Sequence, residues 1–137
     1  MKKYTLGFIF NESLDQVLLI HKLRPDWQAG KLNGVGGKME QGEDHFDCIV
    51  REVREESSLA INKNAWVYLG DMGADSWQVH VFASIYKGLL SDAKTSEGAD
   101  AEKVEWFPVH TLPSHTINNL SWLIPLAIDK IKYRPTA

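Results

Sequence analysis

The stretch Gly37–Leu59, GKMEQGEDHFDCIVREVREESSL, decides how this chain is to be read. It follows the turn Gly36-Gly37, crosses a polar loop to Gly42 and then runs to Leu59 without Gly or Pro, which predicts a helix. Glu43, Asp44 and Asp47 suit the start of that helix, where unpaired N–H groups and the dipole favour negative charge. At roughly 100° per residue, Phe46, Ile49, Val50 and Val53 share one stripe that can pack on a sheet. Glu52, Glu55 and Glu56 gather on a second face, roughly 115° away.

Carboxylates three and four residues apart repel, at a cost of a few tenths of a kcal/mol per pair. Arg51 can pair with Glu55, whereas Arg54 lies on the opposite side of the acidic turn. A hard cation such as Mg²⁺, or Mn²⁺, accounts for the concentration of charge, because it takes oxygen ligands from a few carboxylates, water and phosphate. A plain solvated acidic face is the alternative, and the spacing alone leaves both open.

The whole pattern adds more. Gly37, five residues, Glu43, seven residues, then Arg51-Glu52-Val53-Arg54-Glu55-Glu56-Ser57-Ser58-Leu59 resembles the Nudix box. Every fixed position matches except Ser58, which stands where that family has glycine. Glycine just past a helix end commonly takes the left-handed conformation, which serine adopts at a cost of about 1 kcal/mol. The departure concerns the helix cap and leaves the carboxylates intact.

At 137 residues, with 44% hydrophobic and 24% charged residues, the chain is expected to be one domain, residues 1–137, with an ordinary core. The box carries seven acidic and three basic residues, a net −4 of the total −3, so the rest stands at +1. The acidity is local, and no basic stripe suggests a nucleic-acid polymer as partner. The single cysteine, Cys48, fits a reducing cytoplasm and reads as a small packed residue. The opening MKKYTLGFIF, with two lysines before an apolar run, is expected to be a first strand rather than a leader, since no small-residue cleavage site follows, and no stretch suggests membrane insertion.

Tyr4–Phe10, Val17–Lys22, Trp66–Asp71, Gln78–Lys87 and Val104–Val109 are rich in β-branched and aromatic residues and predict strands, the first two joined by a hairpin through Asn11–Gln16. His80 alternates with apolar neighbours and reads as structural, and Ser91–Asp100 as a mobile loop. Leu120–Lys132 has a helical apolar face, with Pro125 expected to kink or break it near Ile124. The order β-β-(β)-α-β-β-β-α predicts an α/β fold with a mixed sheet between helices. The resemblance independently implies the Nudix α/β/α sandwich.

The resemblance also implies an activity: Mg²⁺-dependent hydrolysis of a nucleoside diphosphate linked to a group X. In that reading Glu52, Glu55 and Glu56 hold the cation, a carbonyl of Gly36 or Gly37 joins them, and Arg51 with Glu43 forms a supporting pair. The general base is not set by the box; Glu102, Glu97 and Glu105 are the downstream acids, and Glu102 is preferred as base or metal ligand. Lys38 and Arg24 are candidate phosphate contacts, and Trp27 a candidate stacking residue.

Leu32-Asn33-Gly34-Val35-Gly36-Gly37-Lys38 resembles a run found in the oxidised-purine nucleoside triphosphatases of that family, where the asparagine meets the base. Asn33 is therefore a candidate for base recognition, the alternative being a turn-forming residue. The segment from Trp106 to Leu126 resembles the same branch, but its pair of base-reading aspartates has no match; Asn118 and Asn119 lie nearby, and Asn119 is kept as a candidate contact. The first expectation is cleavage of a (deoxy)nucleoside triphosphate to monophosphate and pyrophosphate, by a monomer or homodimer. An ADP-ribose or nucleotide-sugar hydrolase is the second. A catalytically silent nucleotide-binding module is the third.

Overall fold

The computed structural model describes residues 1–133. Its strands are β1 (Lys2–Phe10), β2 (Gln16–His21), β3 (Leu32–Asn33), β4 (Val67–Ala74), β5 (Trp77–Ile85) and β6 (Val104–Pro108). The helices are α1 (His45–Ser57) and α2 (Leu120–Lys132). The strands form one mixed sheet of six in the order β3-β2-β1-β5-β4, with β6 on β2. Among these strands β1 and β5 pair in parallel, in register from Lys2↔Trp77 to Phe10↔Ile85, and the other strand pairs are antiparallel.

Alternation along the strands sorts the core into two layers. Phe8, Phe10, Val17, Leu19, Val81 and Ala83 face α2 and pack on Leu120, Leu123, Ile124 and Ala127. Ile9, Leu18, Ile20 and Phe82 point the other way and pack on Ile49 and Val53 of α1. Phe46 and Val50 complete the α1 stripe as half-buried partners, as the spacing predicted. The result is a mixed α/β fold with one helix on each face of the sheet.

The feature that positions the site is a fork in the sheet. β1 and β2 pair only next to their hairpin, at Ile9↔Leu18 and Phe10↔Val17. Beyond that, β3 takes the edge of β2, and Val35–Lys38 takes the edge of β1 through Gly7↔Val35 and Tyr4↔Lys38. The glycine run is therefore wedged into the fork. A Cβ on Gly36 would stand 2.1 Å from the Thr5 carbonyl oxygen, so no other residue fits against β1 there.

Both ends of α1 follow local rules. Asp44 caps it, accepting from the Asp47 N–H at 2.8 Å. Ser58 sits at φ 66°, the left-handed conformation expected where the family has glycine, and its N–H reaches the Arg54 carbonyl at 2.9 Å.

Three expectations need correction. β4 and β5 are displaced from Trp66–Asp71 and Gln78–Lys87, because the turn lies at Asp75-Ser76 and lets Trp77 join the ladder. α2 passes through Pro125 without the break expected near Ile124: the lost N–H would have bonded Ser121, an exposed residue of the first turn whose carbonyl can meet water instead. The 91–100 loop is tied down, since the Lys94 N–H donates to the Ser57 carbonyl at 2.8 Å and Thr95 Oγ1 accepts from the Val104 N–H at 3.1 Å.

Candidate active site

Arg51 is the hub of the acidic helix. Its Nε and Nη2 donate to the two oxygens of Glu43 at 2.7 and 2.9 Å. Nη1 donates to Glu52 Oε1 at 2.9 Å and Glu55 Oε2 at 3.2 Å, and Nη2 also reaches the Lys38 carbonyl at 3.2 Å. The fork-on-carboxylate contact holds the Glu43 carboxyl down at about 2, helped by the Glu40 N–H and opposed by burial. One guanidinium thus ties the loop before α1 to the helix and fixes the orientation of Glu52.

Glu52 and Glu56 face the glycine run. The Glu52 carboxylate lies so close to Gly37 that a Cβ there would stand 2.5 Å from Cδ. Glu56 Oε1 accepts from the Gly36 N–H at 3.2 Å. Burial first, then the neighbouring charge of Glu52, pushes the Glu56 carboxyl up to about 8. Burial also raises that of Glu52, with Arg51 opposing it. Glu55 is different: its side chain is 58% exposed and spent on Arg51.

Two half-buried carboxylates that repel each other call for a cation, so the donor chemistry fits a divalent ion. Among the described residues, however, no group of three His, Cys, Asp or Glu side chains is set as a metal cage. Of the glycine carbonyls, that of Gly37 is taken by the Thr5 N–H at 2.8 Å. Alternation turns the Gly36 carbonyl away from β1, to the side where its own N–H meets Glu56.

Glu102 has a role the sequence reading did not assign. It is 8% exposed and takes the Leu23 N–H at 2.6 Å, the Arg24 N–H at 3.4 Å and Lys22 Nζ at 2.9 Å. Burial would raise its carboxyl, but these donors outweigh burial and hold it below the ordinary range. Glu102 therefore clamps the end of β2, and Arg24 Nη2 adds a bond to the Asp100 carbonyl at 3.1 Å. Glu105 instead pairs with His21 at 2.9 Å.

Lys22 and Arg24 open into a cleft of about 1110 Å³ on the α2 side of the sheet. Asn33, Gly36, Lys38, Trp27 and Asn119 line the same cleft, so every substrate contact expected from sequence converges there. Asn33 is engaged at both ends: Nδ2 donates to Gln28 at 2.9 Å and Oδ1 accepts from the Gly34 N–H at 2.8 Å. Its turn-forming role is thus present. Lys22 was not singled out from sequence; its signal was a lysine closing an apolar strand just before Arg24.

Two other residues read as structural. Cys48 is buried, and burial pushes its thiol up to about 12. His80 is buried, bonds Asp71 at 2.6 Å and stacks on His45 with ring centroids 4.6 Å apart.

Comparison with known proteins matches the NUDIX domain over residues 2–124. A human 8-oxo-dGDP phosphatase, NUDT18, is 32% identical over 113 residues, 81% of this chain and 34% of that protein. The chain spans 34% to 61% of the length of the curated relatives it matches. A MutT NUDIX hydrolase from Burkholderia pseudomallei superposes with a TM-score of 0.74 at 20% identity, covering 91% of this chain and 96% of the other. The NUDIX domain of Shewanella oneidensis NrtR, solved with ADP ribose, gives 0.74 at 15% identity over 94% and 87% of the two chains.

Proposed function

This chain belongs to the Nudix family, and we propose that it hydrolyses a phosphoanhydride bond of a purine nucleotide, with a nucleoside triphosphate as first substrate. The observation that carries this reading is the convergence of Lys22, Arg24 and Lys38 with Gly36 in one cleft, beside the paired carboxylates Glu52 and Glu56. A polyphosphate needs cations against its charge and backbone that it can approach closely, and both are present.

Glu52, Glu56 and the Gly36 carbonyl would hold Mg²⁺, with Mn²⁺ as the alternative; when bound, the ion neutralises phosphate charge and activates the attacking water. Arg51 holds Glu52 in place for that task. Glu102 fixes Lys22 and Arg24 where they can meet phosphate oxygens, so it acts as a positioning residue. Asn33, Trp27 and Asn119 remain the contacts proposed for the nucleoside.

A second reading, a substrate with a larger group X such as ADP-ribose, is favoured by the cleft volume, which is somewhat above the usual range for a small-molecule site. A phosphate-release screen with Mg²⁺ separates the readings when it is run with and without pyrophosphatase and, for ADP-ribose, with alkaline phosphatase, which frees phosphate from the AMP and ribose 5-phosphate that cleavage yields. Signal on purine triphosphates only with pyrophosphatase is the expected result. Signal without it, on diphosphates, would indicate terminal phosphate removal. Cleavage of ADP-ribose alone would overturn the triphosphate reading, and silence across the panel would point to a binding module.

A further inference from the structure

The floor of the cleft contains an apolar patch of sheet that nothing among the described residues covers fully. On the α2 face, register places Tyr4 beside Val79, Val79 beside Met72, and Trp77 beside both Lys2 and Ala74. Lys2, Tyr4, Met72, Trp77 and Val79 all line the cleft. α2 packs over Val81 and Ala83 further along β5 and leaves this end open. Trp77 is 41% exposed and belongs to neither core cluster.

The two cleft tryptophans differ in how they are held. Trp27 stands on the loop between β2 and β3 and is 65% exposed. Trp77 is fixed by ladders on both sides, and a Cβ on Gly73 would stand 2.6 Å from its carbonyl, so the hairpin is closely packed beneath it. An indole carried on a doubly paired strand has only its side-chain rotamers to lose when a ring stacks on it, whereas a loop residue must have its backbone ordered as well.

Position follows from the strands. Lys38 pairs with Tyr4, and Tyr4 is two residues from Lys2, whose strand neighbour is Trp77. Lys38 and Trp77 lie on opposite edges of β1, so Trp77 stands about 7 Å along the strands and two strand spacings, about 10 Å, across from Lys38. A nucleotide with its phosphates at Gly36–Lys38 would lay its base on this floor.

We propose that Trp77 determines base specificity, as the wall on which a purine ring stacks, with Tyr4, Met72 and Val79 as the floor. This rests on the reading of the cleft as a nucleotide site. Stacking on an aromatic ring favours the larger purine surface over a pyrimidine and tolerates substituents at the ring edge.

The test uses W77A, W77F and W27A in the full chain. Binding of adenosine and cytidine monophosphates is followed without metal by tryptophan quenching and calorimetry, and hydrolysis of ATP and CTP by steady-state kinetics. The expected result is that W77A weakens adenosine monophosphate binding about tenfold. KM for ATP should rise similarly with kcat nearly unchanged, and the preference over cytidine nucleotides should collapse. W77F should restore most of the preference, which a merely structural role would not require. W77A with unaltered affinity and preference, or W27A producing these effects instead, overturns the proposal. If the wild-type chain neither binds nor hydrolyses any nucleotide, the reading of the cleft fails and the role of Trp77 fails with it.

Discussion

Replacing Glu56 by glutamine separates the cost of the site from its use. The folded chain holds the Glu56 carboxyl at about 8, against an ordinary 4.5. Below pH 4.5 the group is protonated in folded and unfolded chains alike and contributes no penalty. Between 4.5 and about 8 the unfolded chain releases the proton while the folded chain keeps it, so stability falls as pH rises through this window. At pH 7 the penalty spans roughly 2.5 units at about 1.4 kcal/mol each, reduced by partial solvation to on the order of 2–3 kcal/mol.

Glutamine is the neutral isostere, and its Oε1 can still accept from the Gly36 N–H. Without metal, E56Q should therefore be more stable than the wild type at pH 7 by about 2–3 kcal/mol, on the order of 10 °C in Tm. The gap should close near pH 4. Urea unfolding at pH 4, 5.5 and 7, with and without Mg²⁺, measures each part. Mg²⁺ should raise wild-type stability in a concentration-dependent way and E56Q little or not at all. Turnover of E56Q should fall by orders of magnitude. A variant no more stable than the wild type at pH 7, a gap independent of pH, or equal gains from Mg²⁺ would each refute the placing of Glu56 as a buried, cation-seeking carboxylate.

Other residues give independent tests. R51K loses the fork that joins Glu43 to Glu52 and should cost about 2–3 kcal/mol in denaturant unfolding, together with most of the activity. G36A brings a Cβ to 2.1 Å from the Thr5 carbonyl oxygen and should destabilise by about 3 kcal/mol or more, with loss of amide protection along Gly34–Lys38; a native-like exchange pattern would contradict the wedge. S58G relieves a left-handed serine and should stabilise by up to about 1 kcal/mol with turnover unchanged. E102Q should raise KM several-fold more than it lowers kcat, because it loosens Lys22 and Arg24; a collapse of kcat at constant KM would return Glu102 to the role of base.

Much of this was legible because the deciding signals are local. The α1 stripe, its N-terminal cap and its acidic face depend on residues within one helix, and Ser58 announced its left-handed φ by standing where glycine is expected. The succession of strands and helices along the chain was legible for the same reason, since alternation and turn residues act over a few positions, whereas the order of the strands within the sheet is set by distant pairing. Pro125 misled because its effect depends on which carbonyl is left unpaired, and that carbonyl belongs to an exposed residue near the helix start. Glu102 was legible as a candidate, but its contacts were not: its partners Lys22 and Leu23 lie 80 and 79 residues away, and no spacing rule reports such a contact.

The fork explains why the site could be half read. A strand pair that stayed together would bury its own edges and leave no entry for the glycine run. Because β1 and β2 pair at only two registers before diverging, Val35 and Gly37 complete the edge of β1, and the intervening Gly36 must turn its N–H the other way, onto Glu56. The same geometry leaves Gly36 rather than Gly37 with the free carbonyl. The residue types were visible in the sequence, but their direction was set by pairing. The cleft follows from the same cause: α2 covers the far end of the sheet, and Lys2, Tyr4 and Trp77 remain at the near end. The glycine run thus lies between the carboxylates on the α1 side and the open floor on the α2 side. On the proposed reading, a nucleotide lying along that floor would bring its phosphates to this gap in the sheet.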